Sequence, residues 1–455
     1  MVPVLFLAVL VSLPAVDSAL RFIPDDSSLR LELRDEHWFD GSADAVLQKK
    51  PFKRTLLGGG RVEVSSGCRD DQFWVVIARE LQGSFPEWSQ GSWSLVRNRT
   101  TGDIEYIRVF LRSDKYLYVQ FRPFTGAEDK CFMDVVAYDA YIVSGLILPF
   151  SMKRLLVLPV EDVLKAAGTR FPRRYFEPNP DHYQDIRTFI KNVREHLPKL
   201  HFADDGGIDE QGRYVYIASQ KPQPVDGGLN CSGFAKWLVD GILRPVTGTR
   251  LTIPPLKAPF GTRGSSFTNP YEASRDPFFG LDWTRNLAAT VMRTLRSPEF
   301  GVLSEIEVQS TPFNRIIVRR SDKEAVVENY PNFIQDVGFS FEGLQPLLYT
   351  LAIDEPGYLY LASVNAKEGD PPLAHPPAGR PPLRMHFHVA ALLPYFDEKG
   401  NFCVTVFESA AETSFASFKR VHQGRYVKQR SGQDLWIPPH FVNLVRIPIE
   451  GMFRP

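Results

Sequence analysis

Cys231 is the residue in this sequence best placed to act as a nucleophile. It opens a predicted helix, because Phe234, Trp237 and Leu238 follow it at helical spacing. The unpaired N–H groups and the dipole of a helix N-terminus stabilise a thiolate, the reactive form of cysteine. The sequence therefore predicts thiol chemistry at Cys231. The alternative is a buried, inert cysteine that packs the helix.

His388 is the predicted general base for this thiol. It begins an apolar strand, and a hairpin turn at residues 397–401 leads to a return strand that ends at Glu408. An imidazole on a rigid strand can take the thiol proton, and Glu408 is the polar residue best placed to orient it. His386 has the same predicted side-chain direction and is the alternative base. The alternative interpretations are that the two histidines are ordinary hydrogen-bonded strand residues and that Glu408 is a solvated carboxylate.

Metal chemistry is a weaker interpretation of the same residues. His386, His388 and Glu408 could form a ligand set, but the sequence contains no HExxH motif and no CxxC pair. A thiol mechanism needs neither a metal nor a cofactor, and we expect none.

The order of these elements resembles the NlpC/P60 family of papain-like cysteine peptidases, which cleave peptide stems of bacterial cell walls. The family's helix typically begins Asp-Cys-Ser-Gly, and this chain has Asn230-Cys231-Ser232-Gly233. The family's histidine strand typically begins His-Val-Gly-Ile, and this chain has His388-Val389-Ala390-Ala391. The family's aromatic stretch upstream of the cysteine resembles Tyr214-Val215-Tyr216.

Three features differ from the family pattern. Asn230 stands where the family has Asp, and the third polar position, usually His, Asn or Gln, falls on Glu408. The cysteine and histidine are 157 residues apart (388 minus 231), a much longer separation than the family's. The resemblance therefore implies an insertion at about residues 244–382 that could cap or narrow the cleft.

The resemblance implies an exported thiol hydrolase that cleaves an amide bond in a peptidoglycan stem peptide through a thioester. Tyr214 would lie at the oxyanion site, with Tyr216 as the alternative, while Ser232 and Gly233 would contact the oxyanion or the substrate. Gly233 would leave room for the substrate beside Cys231. Two other functions stay open: a non-catalytic binding or envelope-structure protein with a degenerate papain-like domain, and an amidase or acyltransferase acting on another substrate.

The fold class predicted for the whole chain is α+β. Residues 19–158 alternate apolar and polar side chains between turn residues, which predicts an antiparallel sandwich or small barrel with a binding or structural role. Residues 159–455 would form the papain-like domain, with helices over 185–197, from Asn230 to before Pro245, and over 281–295.

The amino terminus predicts export to the periplasm or the medium. Residues 1–18 have an apolar core followed by small residues, as in a signal peptide, although a buried strand is the alternative. No later segment is apolar and long enough to span a membrane. An oxidising compartment would permit a disulfide, and Cys68 with Cys131 is the expected pair.

Composition is ordinary for a globular protein. The 455 residues are 44% hydrophobic, and 53 basic side chains balance 53 acidic ones. A net charge of zero provides no overall field for nucleic acid, so we expect no nucleic-acid partner.

Overall fold

The computed structural model describes residues 23–56, 59–224, 226–261, 276–319, 325–367, 384–428 and 434–455. The predicted signal peptide, residues 1–18, lies outside these ranges. The chain forms two compact units. The first contains the residues up to Val135 and those from Val143 to Glu177, and the second contains Val136–Ile142 and Pro178–Pro455.

The N-terminal part of the chain is built on antiparallel strands that pair in chain order. This confirms an α+β chain whose N-terminal part is a large antiparallel sheet. The strands lie in one sheet and not in the two sheets of the predicted sandwich, and among the described residues β1 has no pairing with β8 that would close a barrel. The strands are β1 (Phe52–Thr55), β2 (Arg61–Arg69), β3 (Gln72–Arg79), β4 (Trp93–Asn98), β5 (Ile104–Val109), β6 (Leu117–Pro123), β7 (Cys131–Ala137) and β8 (Ala140–Leu148).

Four helices accompany these strands: α1 (Ser27–Asp35), α2 (Ala43–Leu47), α3 (Met152–Leu155) and α4 (Val160–Ala167). The Asp26 carboxylate caps α1 by accepting the Leu29 N–H at 3.2 Å. Arg30 of α1 is buried, donates to the carbonyls of Leu156 and Leu158, and lies 4.0 Å from the centre of the Trp93 ring. Burial of this cation is tolerated because its donors are satisfied.

The predicted Cys68–Cys131 disulfide is wrong, because both thiols are free. Cys68 is exposed on β2, whereas Cys131 is buried on β7. Four strands separate β2 from β7 in the sheet. At about 4.8 Å per strand the two cysteines are far beyond the reach of a disulfide.

The second unit contains the predicted chemical residues. Its helices are α5 (Gln184–His196), α6 (Cys231–Thr247), α7 (Phe279–Leu295), α8 (Leu303–Ile306), α9 (Leu344–Asp354) and α10 (Phe415–His422). Its strands are β9 (Gly206–Ile208), β10 (Tyr214–Tyr216), β11 (Arg315–Arg319), β12 (Ala325–Asn329), β13 (Phe339–Ser340), β14 (Tyr358–Lys367), β15 (Arg384–Phe396), β16 (Phe402–Glu408), β17 (Ala411–Ser414), β18 (Arg425–Lys428), β19 (Asp434–Ile437) and β20 (Phe441–Pro448). No helix among the described residues is long and apolar enough to cross a membrane.

A six-stranded antiparallel sheet forms the core of this unit, in the order β13-β20-β14-β15-β16-β17. Strand β14 lies between β20 and β15 and is buried along nearly its whole length. It belongs to the stretch at about 244–382 that the sequence predicts to be an insertion. At least this part of the stretch is therefore central to the sheet that carries His388 and is not a cover over a cleft.

Helix α6 continues past Pro245, where the sequence predicts it to end. Proline has no N–H to donate to the carbonyl four residues earlier, which is that of Gly241. The Arg454 N–H donates to this carbonyl instead, at 2.8 Å. Gly241 also has no side chain, and a Cβ there would come within 2.2 Å of the Phe453 ring. The C-terminal segment thus supplies the donor that Pro245 lacks, and the helix ends two residues after Pro245, at Thr247.

Candidate active site

Cys231 is the first residue of α6, and hydrogen bonds of the preceding residue, Asn230, fix its position. Asn230 is the N-cap, and its side-chain oxygen accepts the Gly233 N–H at 2.8 Å. The Asn230 N–H in turn donates to the Gly206 carbonyl of β9 at 3.0 Å. Asn caps a helix as well as Asp does, so the departure from the family's Asp preserves the cap.

Gly233 is needed for packing and does not provide space for a substrate. A Cβ at this position would lie 1.9 Å from the Gly206 carbonyl oxygen. Strand β9 therefore fills the space beside Gly233, which corrects its predicted role. The close approach lets α6 begin directly against β9.

Ser232 and Trp283 hold the start of α6 from its other side. Ser232 is buried, and its carbonyl accepts the indole N–H of Trp283 on α7 at 2.9 Å. The Ser232 hydroxyl lies 4.0 Å from the Cys231 sulfur. Trp283 is thus a positioning residue that local sequence patterns do not identify, because it acts from another helix.

The structure brings Cys231, His388 and Glu408 together. Glu408 Oε2 lies 2.6 Å from Nε2 of His388, and both side chains are about four-fifths buried. Cys231 interacts with the same imidazole and with the backbone N–H of Val389. Because Nε2 faces Glu408, Nδ1 is the ring nitrogen that remains for the thiol.

The electrostatics of this cluster favour a charged pair. Burial alone raises the pKa of the Cys231 thiol, but the hydrogen bond and charge of His388 outweigh it, and the net pKa lies below the ordinary value. Burial lowers the pKa of His388, yet Cys231 and Glu408 outweigh burial and raise it to about 9. The Glu408 pKa is lowered, since His388 compensates for its burial. All three shifts therefore favour the charged forms: a thiolate, an imidazolium and a carboxylate.

A β-bulge separates His386 from His388. In the pairing of β15 with β14, His388 is opposite Val364 and His386 is opposite Asn365, and Phe387 is the extra residue. Val364 and Asn365 are successive strand residues, so the two histidines point to opposite faces. The predicted common direction of His386 and His388 is wrong for this reason.

His386 is occupied elsewhere. Its Nδ1 lies 2.8 Å from the Ser363 hydroxyl and its Nε2 lies 3.0 Å from the Asp336 carbonyl. Burial lowers its pKa to about 3, so it stays neutral. With both ring nitrogens engaged, His386 is not brought to Cys231 as an alternative base.

The two predicted oxyanion tyrosines lie on a hairpin near the start of α6. Tyr214 is partly buried on β10, opposite Ile208 of β9. Gly227 packs against it, because a Cβ added at Gly227 would come within 2.4 Å of the Tyr214 Cβ. Tyr216 is exposed at the other end of the strand. Among the described residues, no hydrogen bond joins either tyrosine to Cys231.

Two histidines that sequence patterns do not single out lie near the site: His422 beside the imidazole of His388, and His440 beside His422. The His422 ring stacks on it at 6.2 Å between centroids, and His422 Nδ1 lies 2.9 Å from His440 Nδ1. Burial lowers the pKa of His422 to about 3, so it stays neutral next to the charged His388. The described residues include no group of three His, Cys, Asp or Glu side chains suited to a metal ion.

Replacing Glu408 with glutamine should lower the pKa of His388 from about 9. The carboxylate favours the imidazolium through its charge and hydrogen bond, so a neutral amide should shift the histidine titration to lower pH by about one unit. Side-chain NMR of histidine-labelled protein would measure the shift. Glu412→Gln is the matched control, because that exposed carboxylate pairs with Arg194. An unchanged titration in Glu408→Gln would refute the coupling.

A family profile described as a domain of unknown function (DUF8515) matches residues 20–175 of the chain. The matched stretch corresponds to most of the first compact unit and ends before Cys231. Neither curated proteins nor solved structures give a significant match to the chain. The matched family thus covers the β-rich unit, whereas the thiol site lies outside it.

Proposed function

We propose that this chain is a thiol-dependent hydrolase that cleaves an amide bond through Cys231 and His388. One observation carries the proposal: a cysteine on the first turn of a helix faces a histidine whose other ring nitrogen lies 2.6 Å from a carboxylate. A nucleophile, a base and a group that orients the base are the parts required for covalent acyl transfer.

The chemistry would begin with the proton already on His388. The Cys231 thiolate attacks the amide carbon, and the carbonyl π electrons move onto oxygen to give a tetrahedral oxyanion. Its collapse expels the amine, which takes its proton from the His388 imidazolium and leaves a thioester on Cys231. His388, now neutral, removes a proton from water, and the resulting hydroxide attacks the thioester, expels the Cys231 thiolate and releases the carboxylic acid. This regenerates the starting pair of thiolate and imidazolium.

The start of α6 would stabilise the oxyanion. First-turn amides of a helix have no intrahelical acceptor, so the Cys231 N–H is available to a negative oxygen beside the sulfur. The helix dipole acts in the same direction. The sequence resemblance suggests Tyr214 as a second donor, and its position on the hairpin beside α6 is compatible with that role.

A papain-like architecture and a cell-wall peptide substrate are part of the proposal. A cysteine helix with a histidine strand and an adjacent polar strand follows the element order of NlpC/P60 peptidases, and the amide would then be one of a peptidoglycan stem peptide. This substrate requires export, which the sequence of residues 1–18 predicts.

Competitive alkylation within one molecule tests the proposal. We expect iodoacetamide at pH 6 to modify Cys231 at least about tenfold faster than Cys68, measured by peptide mass spectrometry. Cys68 is an internal control, because it is exposed and Cys231 is only partly so. Faster labelling of Cys68 would contradict an activated thiolate. Incubation with peptidoglycan fragments should then leave an acyl adduct on Cys231 if the substrate is as proposed.

A further inference from the structure

The hairpin of β18 and β19 exposes apolar side chains on both of its faces. Tyr426 pairs with Trp436 on one face, with ring centroids 4.9 Å apart, and Val427 pairs with Leu435 on the other. Exposed fractions are 45%, 41%, 37% and 45% for Tyr426, Trp436, Val427 and Leu435. A strand pair that packs on its own protein buries one face, so neither face of this ribbon serves the core.

The base of the hairpin is firmly attached. The Gly424 N–H donates to Glu342 at 3.0 Å, and a Cβ on Gly424 would come within 2.5 Å of the Trp436 ring. On the other side, the His440 N–H donates to the His422 carbonyl at 2.9 Å. The ribbon therefore projects its apolar residues from a fixed base.

That base lies directly beside the thiol site. His422 and His440 flank the hairpin in sequence, and the His422 ring stacks on the imidazole of His388. The exposed Phe387 lies 5.3 Å from the His440 ring, between centroids. Whatever surface the hairpin binds is thus brought close to His388.

The side chains at the hairpin match the interface of a membrane. Tyr and Trp prefer the headgroup level, where an aromatic ring has both apolar and polar surroundings. Arg425 and Lys428 are exposed at the ends of β18. Val421, in the last turn of α10, is a further exposed apolar side chain, at 55%. A bilayer can cover both faces of a ribbon at once, whereas a flat protein surface covers one. A sugar ligand would use the aromatic face and leave Val427 and Leu435 exposed.

We propose that the β18–β19 hairpin inserts its apolar side chains into the surface of an anionic lipid bilayer and holds the Cys231–His388 site at that surface. Arg425 and Lys428 contribute attraction to acidic headgroups, and the apolar side chains contribute burial in the outer acyl region. This inference does not require that Cys231 be catalytic. Binding and chemistry can therefore fail independently.

Flotation with vesicles tests the hairpin directly. The full chain should bind phosphatidylcholine vesicles containing phosphatidylglycerol more tightly than vesicles of phosphatidylcholine alone. Trp436→Ser and Val427→Ser should each weaken binding by about tenfold, and Lys428→Glu by about fivefold or more. Trp436 packs on Gly424, so Trp436→Ser could disturb the hairpin itself. Val427→Ser and Lys428→Glu keep the test valid in that case.

Matched controls separate the inference from its alternatives. Val327→Ser replaces a strand valine on β12 that is more exposed than Val427, at 47% against 37%, and should not change vesicle binding. Cys231→Ala should bind like the unmodified chain. Failure of the unmodified chain to bind vesicles would overturn the inference. Vesicle binding that the hairpin variants leave intact would also overturn it. So would self-association of the chain that the hairpin variants abolish, or binding of the chain to purified glycan strands in place of lipid.

Discussion

Replacing His388 with alanine should suppress alkylation of Cys231 at pH 6 to 7 by at least about tenfold. His388 is the group that keeps the thiol pKa below its ordinary value against the effect of burial. Without the imidazole, only the hydrogen bonds of Val389 and Ser232 oppose the effect of burial, so the thiolate forms at higher pH. The proposed amide cleavage should fall by about a thousandfold or more, because the base and the proton donor are lost together. Peptide mass spectrometry across pH 5 to 10 would measure the labelling.

His386→Gln is the control for this prediction. His386 lies two residues away on the same strand but faces Ser363 and Asp336, so the pH dependence of Cys231 labelling should stay unchanged. Circular dichroism would show that both variants remain folded. Equal loss of labelling in the two variants would mean that strand β15, and not the imidazole of His388, controls the thiol. Undiminished labelling in His388→Ala would refute the pair.

Neighbouring elements in the sequence made part of the site predictable. Cys231 opens a helix because apolar residues follow at helical spacing, and Glu408 lies on the strand that a short hairpin returns beside His388. The pairing of Phe396 with Phe402 sets the register of β15 and β16, which carries Glu408 close to His388. Local periodicity and one turn are sufficient for these placements.

The choice between the two histidines was not predictable in this way. Simple alternation puts His386 and His388 on one face, but the bulge at Phe387 reverses one of them. The bulge arises in the pairing with β14, a strand from a distant part of the sequence. No pattern within residues 384–392 reveals it, because register between distant strands is a tertiary property.

Helix α6 and the disulfide show the same limit. A proline ends a helix reliably only when the carbonyl that it leaves unpaired finds no other donor. For Pro245, the Arg454 N–H is that donor, from more than two hundred residues away in the sequence. Cys68 and Cys131 share a strand-rich region, yet the sheet order places four strands between them. Both outcomes depend on which distant segments meet.

Replacing Asp240 with alanine should destabilise the second unit by about 3 to 5 kcal/mol. Asp240 and Lys236 are one turn apart on the cysteine helix, each only 1% exposed, with 2.7 Å between Oδ2 and Nζ. The other carboxylate oxygen accepts the Leu251 N–H at 2.8 Å. The alanine variant leaves a buried ammonium without its partner and an N–H without its acceptor. Urea unfolding followed by tryptophan fluorescence would measure the loss.

The pH dependence and a rescue variant distinguish this mechanism from lost packing. Burial lowers the pKa of Lys236 and Asp240 opposes that shift, so the alanine variant should lower the pKa further. Below the ordinary lysine pKa, the unfolded chain of this variant then binds more protons than its folded chain. The loss of stability should therefore be larger at pH 6 than at pH 9.

Lys236→Met with Asp240→Asn removes both charges, keeps an acceptor for Leu251 and should recover most of the stability. Glu161→Ala removes an exposed pair with Lys165 and should leave stability unchanged. A loss in Asp240→Ala that neither varies with pH nor responds to the double variant would contradict the buried ion pair as its cause.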